Sequence, residues 1–134
     1  MRKLLLILPA LLFLSCSRPS STETFLRGDG PYVFTVDMSD SLATYDVDLF
    51  TRIDAMEFPA QLRLDITWKD PLDSLFTETV YLPVSRGSSF FSQESYAPYR
   101  ADVAPAVPGL WSVTVAVHNP PEGLNGMGLV LKKH

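Results

Sequence analysis

One cysteine and two histidines in 134 residues leave little from which to assemble a metal centre or an activated nucleophile. A zinc site takes three or four Cys, His or carboxylate ligands, and the thiols and imidazoles for one are absent. With a single thiol, no disulfide can form within the chain, so a folded domain has to rest on its hydrophobic core. The seven glycines fall in neither a G-x-G-x-x-G nor a P-loop spacing, which excludes a phosphate cradle of those types. There is no block of basic residues and no apolar run long enough to cross a bilayer, which takes about 20 residues. A helical stripe longer than two turns is missing as well.

What is present begins with an address. Met1-Arg2-Lys3 followed by the apolar segment Leu4 to Leu14 matches the charged and hydrophobic regions of an export signal. Phe13-Leu14-Ser15-Cys16 resembles a bacterial lipobox, with Phe13 where leucine is usual. The resemblance implies acylation of the Cys16 thiol, cleavage before it and acylation of the new amino terminus. A conventional signal peptide with an incidental cysteine and an uncleaved anchor are the competing readings. One acyl chain binds a membrane marginally, whereas three, at about 0.8 kcal/mol per buried CH₂, hold a protein there. The organisation expected is a signal over 1–15, an acylated Cys16 with a flexible tether to residue 30, and one β domain over 31–134.

Loss of residues 1–15 removes Arg2 and Lys3, leaving nine basic residues against 15 acidic, a net charge of −6. That balance repels nucleic acid and anionic headgroups. Ser17 to Gly30 is polar and almost without periodicity, and a 14-residue coil reaches roughly 20 Å. No acidic cluster follows Cys16, which favours a lipid-anchored position in the cell envelope facing the periplasm.

From Pro31 onward the dominant period is two. Tyr32, Phe34, Val36 and Met38 alternate with polar neighbours, as do Tyr45, Val47 and Leu49, then Leu62, Leu64, Ile66 and Trp68, then Trp111, Val113, Val115 and Val117. This is the pattern of half-buried strands. Phe76, Val80 and Leu82 continue it, although Glu78 falls on their side, and "MGLVLK" from Met127 closes the series. Turn-forming stretches such as "SDSLA" and "KDPLDS" separate the strands. Six or seven strands without crossover helices predict an antiparallel β-sandwich, immunoglobulin-like or jelly-roll-like. Val84 to Pro108, broken by Pro98, Pro105 and Pro108, predicts a long loop with one irregular edge strand around Ala101 to Val103.

Candidate sites are few. His118 falls on the polar face of its strand, where a solvated histidine is the ordinary outcome. Asp46, Asp48, Asp54 and Glu57 offer oxygens to Ca²⁺, but no EF-hand spacing accompanies them, and outward acids also serve solubility. Neither a catalytic residue, a metal ligand nor a cofactor is assigned. Phe90, Phe91, Tyr96 and Tyr99 form an aromatic segment beside Arg86 and Arg100. Such a segment packs back as a lid, anchors a protein partner, or stacks on sugars.

Taken in order, "YVFTVDMSDSLATYDVDLFTRIDAMEFPAQLRLDITWKDP", "FTETVYLP", "VPGLWSVTVAVHN" and "LNGMGLVLKK" resemble the gliding-motility lipoprotein family GldH of the Bacteroidota over residues 32 to 133. Its most specific elements here are Tyr45 to Arg52, Pro108 to Trp111 and the G-x-G-L run from Gly126 to Leu129. The chain is shorter than is usual for that family between Leu82 and Gly109. The resemblance implies a non-catalytic, membrane-anchored component associated with gliding motility and the type IX secretion apparatus, partnered by other envelope proteins. The rival is a glycan-binding lipoprotein of a nutrient-uptake system.

Overall fold

The computed structural model describes residues 20–54, 57–84 and 93–134. Among them run eight strands and no helix: β1 (Ser20–Arg27), β2 (Tyr32–Met38), β3 (Tyr45–Ile53), β4 (Gln61–Lys69), β5 (Leu75–Pro83), β6 (Gln93–Val103), β7 (Gly109–Val117) and β8 (Leu124–Lys133). They form two antiparallel four-stranded sheets, ordered β1-β8-β3-β6 and β2-β7-β4-β5. The first with the last, the second with the seventh, the third with the sixth and the fourth with the fifth all pair, so the chain is one long nested hairpin rolled up on itself. The pairs β3/β8 and β4/β7 close the roll. The expected β-sandwich is therefore present, and its strand order is that of a jelly roll.

Alternation explains the core. In β2 the residues Tyr32, Phe34, Val36 and Met38 are buried while those between them face water. Leu62, Leu64, Ile66 and Trp68 of β4 and Val113, Val115 and Val117 of β7 supply the rest of that sheet's inner face. Tyr45, Val47, Leu49 and Ile53 of β3 meet them from the other sheet with Met127, Leu129 and Leu131 of β8. Each fully buried aliphatic or aromatic side chain contributes about 1.5–3 kcal/mol relative to exposure, which lets the domain hold without a disulfide.

Two expectations are corrected. The tether expected over 16–30 does not extend that far, because Ser20–Arg27 is a strand paired with β8 from Ser20 opposite Lys133 to Arg27 opposite Gly126. Only Phe25 and Leu26 of β1 are even half-buried. An edge strand held chiefly by backbone hydrogen bonds carries no apolar alternation to read. The first described strand of the domain thus lies upstream of Pro31. The irregular strand expected around Ala101 to Val103 is instead the 11-residue β6, with Pro98 inside it. Proline is tolerated there because β6 is an edge, where one row of backbone groups has no strand partner.

Candidate functional site

Strand β6 carries both described members of the aromatic segment, three residues apart and so on opposite faces, and its register shifts just beyond the first of them. Along its first half Ser95 and Ala97 point inward and are buried, while Tyr96 points outward. Asp48 of β3 then lies opposite Pro98 and Val47 opposite Arg100, so Tyr99 is an extra residue. A second irregularity follows, since three steps from Arg100 to Val103 match two from Val47 to Tyr45. Asp102 there adopts φ 54°, and its N–H donates to Asp46 Oδ1 at 2.8 Å. Bulges of this kind re-aim side chains. Here they bring the adjacent Tyr99 and Arg100 onto the same partner.

That partner is Glu78 of β5, in the opposite sheet. The Trp68 Nε1–H donates to the Tyr99 hydroxyl at 2.8 Å, and the Tyr99 hydroxyl donates to Glu78 Oε1. Arg100 Nη2 donates to Glu78 Oε2 at 2.5 Å, with its guanidinium 5.5 Å from the centre of the Tyr99 ring. The Tyr99 ring stacks on Trp68 at 6.1 Å, and Trp68 meets Trp111 edge-on at the same separation. A carboxylate on the apolar side of a strand, anomalous in the sequence, is thus the acceptor that ties the two sheets together at their open edge. Desolvation by burial, reinforced by Glu78, pushes the Tyr99 hydroxyl up to about 12. Its hydrogen bond to Glu78 likewise raises Arg100 above its ordinary value. Tyr99 is therefore a fixed donor at physiological pH rather than a base.

Beside this latch opens a cavity of about 320 Å³ lined by Met38, Trp68, Phe76, Arg100, Val103 and Trp111. Its walls are apolar apart from one guanidinium that is already paired. It suits an apolar group.

On the outer face of the other sheet, Phe25, Gly128, Phe50 and Tyr96 form one cross-strand row. Phe25 stacks on Phe50 at 5.7 Å and 16°, and Phe50 on Tyr96 at 4.8 Å and 21°. The rings meet because the strand between β1 and β3 has no side chain at this level: a Cβ on Gly128 would run into the Phe50 ring, and one on Gly126 would meet Phe25 and the Leu26 carbonyl. This explains physically why the terminal G-x-G-L run carries two glycines two apart. Phe50 is buried although it faces outward, while Tyr96 ends the row 59% exposed. Phe90 and Phe91 lie outside the described residues, as does Cys16.

The remaining candidates are dispersed. Asp48 pairs with Lys132 at 2.8 Å, and Asp54 pairs with Arg52 and accepts from Asn125. Among the described residues no group of three or more His, Cys, Asp or Glu side chains is arranged to hold a metal ion. Asp46 is held below the ordinary carboxylate value of 3.8, first by the Asp102 N–H and then by the His134 ring at 2.8 Å. A carboxylate whose pKa is lowered by folding contributes stability that is complete above its unfolded pKa and lost as pH falls through the folded value. Asp46→Ala should accordingly melt below the parent at neutral pH, with the gap closing in acid below pH 3.8. Melting curves taken across that range check this, and a gap independent of pH would remove the Asp102 contact as its source.

The signal that could have revealed the latch was Glu78 itself, since an acid within an apolar alternation needs a donor. Compared with known proteins, the chain matches no family model and no curated protein.

Proposed function

We propose that the chain is a non-catalytic envelope lipoprotein, acylated on Cys16 and facing the periplasm. In this reading its jelly roll is an accessory part of gliding-motility or type IX secretion machinery, as the resemblance to GldH implies, and it docks other envelope proteins. The observation that carries the docking surface is the row Phe25–Phe50–Tyr96, which ends in an aromatic ring that is exposed yet held by stacking. A pre-positioned aromatic loses little freedom on binding and is the commonest type of interface anchor. The two groups of the β5/β6 latch whose pKa values move, Tyr99 and Arg100, both move away from neutrality, which suits a structural role.

The test joins anchor and surface. Cys16→Ala should abolish incorporation of labelled fatty acid in vivo, and unchanged labelling would end the lipoprotein reading. Tyr96→Ala should remain acylated and lose about 0.5–1.5 kcal/mol of stability with its stacking partner. Its capture of secretion or motility components from crosslinked envelopes should fall more than tenfold, the effect of losing about 2 kcal/mol at an interface anchor. Full capture by that variant would remove Tyr96 from the interface. The exposure of Tyr96 also favours a second reading, in which the ring stacks on sugar. Polysaccharide binding by the parent that Tyr96→Ala abolishes would select the glycan-binding lipoprotein of a nutrient-uptake system instead.

A further inference from the structure

The apolar side chains left in water are not spread evenly. Ser20, where β1 begins, lies in one cross-strand row with Lys133, Tyr45 and Val103, so the chain enters the domain at the end where β2, β4 and β6 finish. Of the eight large hydrophobic side chains exposed among the described residues, five sit at this end: Leu42, Leu72, Leu75, Phe76 and Leu110. The cavity lined by Met38, Phe76 and Val103 opens there too.

Two of these residues are displayed by turns of the same construction. In the β2–β3 connection the Leu42 N–H donates to Asp40 Oδ1 at 3.0 Å and the Ala43 N–H to the Asp40 carbonyl at 3.3 Å. In the β4–β5 turn the Leu72 N–H donates to Asp70 Oδ1 at 2.8 Å and the Asp73 N–H to the Asp70 carbonyl at 3.0 Å. Each turn thus fixes a leucine at its third position, 96% exposed at Leu42 and 73% at Leu72. Exposed apolar side chains gathered at one end in this way mark a contact surface.

The length of chain before Ser20 says what that contact is. On the proposed acylation of Cys16, on which this inference rests, three residues separate the lipidated one from the first strand, and the four steps from Cys16 to Ser20 span at most about 14 Å. The opposite end of the sandwich is a further strand length away, about 27 Å for the eight residues of β1, so the domain cannot stand with that end toward the bilayer on such a leash. The geometry points to this end of the jelly roll as a membrane-docking face, with Leu42 and Leu72 entering the apolar edge of the lipid surface and Phe76 and Leu110 behind them.

The attraction is apolar rather than ionic. Lys69, Lys132 and Lys133 are paired with Asp73, Asp48 and Asp40, and Arg100 with Glu78, so the described lysines and arginine of this end are already matched. Neutral headgroups therefore suffice, and salt leaves the contact in place. The face carrying Phe25, Phe50 and Tyr96 then stands clear of the membrane.

The test uses the full acylated chain reconstituted in phosphatidylcholine vesicles. Acylation consumes the Cys16 thiol, so a nitroxide can be placed on Leu42→Cys, on Leu72→Cys, or on His118→Cys at the far end. The first two probes should lose access to an aqueous relaxing agent and gain access to oxygen dissolved in lipid, while the third stays in water, at low and high salt alike. Protein that carries fatty acid but keeps all three probes equally wet would overturn the docking face and leave the anchor standing. Protein without fatty acid would overturn the anchor and this placement with it. Protection that vanishes on dilution of protein in lipid would assign the face to a second copy of the chain, against the proposal.

Discussion

Trp68→Ala is expected to cost about 3–5 kcal/mol, the usual range for deleting a buried ring. The indole is 7% exposed, packs between Tyr99 and Trp111, and donates its N–H to the Tyr99 hydroxyl. Its loss opens a cavity on β4 and removes the donor that orients Tyr99 toward Glu78. For a domain of this size the change amounts to a fall in Tm on the order of 15 °C or more. Chemical denaturation measures it directly, and a variant with parental stability would place the ring in solvent. Tyr99→Phe is the companion, because it keeps both rings and removes the shared hydroxyl. The Trp68 N–H is then left without its acceptor, at a cost of about 1–3 kcal/mol. Trp111→Ala should cost less than Trp68→Ala, as that ring is only half-buried and its N–H is satisfied by the Val107 carbonyl at 2.8 Å.

The second large effect belongs to a glycine. Gly128→Ala should destabilise the sheet by about 1–3 kcal/mol, because the added methyl occupies space filled by the Phe50 ring. The ring cannot swing aside freely, being stacked between Phe25 and Tyr96. Phe50→Ala in the same chain gives the methyl room. The double variant should therefore be more stable than the sum of the two single losses predicts, a coupling that a double-mutant cycle reads as a free energy. Strict additivity would mean that ring and glycine are not in contact.

How legible the molecule was in its residues followed burial. Strands with one face in the core and one in water, β2, β4 and β7, display the alternation that period two requires, and Tyr32, Leu64 and Val113 could be assigned inward from it. β1 escaped because an edge strand with a mostly exposed inner row looks like polar coil. β6 escaped for another reason: Pro98 argued against a strand, and two bulges broke the alternation that could have argued for one. The same bulges made the latch invisible. Spacing along β6 puts Tyr99 and Arg100 on opposite faces, whereas the extra residue turns both toward Glu78. Tyr96 was legible as one of an aromatic segment but not as a strand residue facing outward, and the row that steadies it joins residues 25, 50 and 96, which no local pattern connects.

The nested pairing also sets an order of events during synthesis. β1 and β3 are complete once residue 53 has been made, yet the strand that lies between them is β8, residues 124–133. Until that segment emerges, β1 has no neighbour in its sheet and β3 lacks one of its two, and only the β4–β5 hairpin has its partner close by in the chain. Closure is thus a late, long-range event, the kind that folds slowly. A chain threaded amino end first through a translocation channel would have to remain open until Leu124–Lys133 came through. Removing those residues would take the neighbour from both β1 and β3 at once, so a shortened chain has no smaller version of this fold to fall back on.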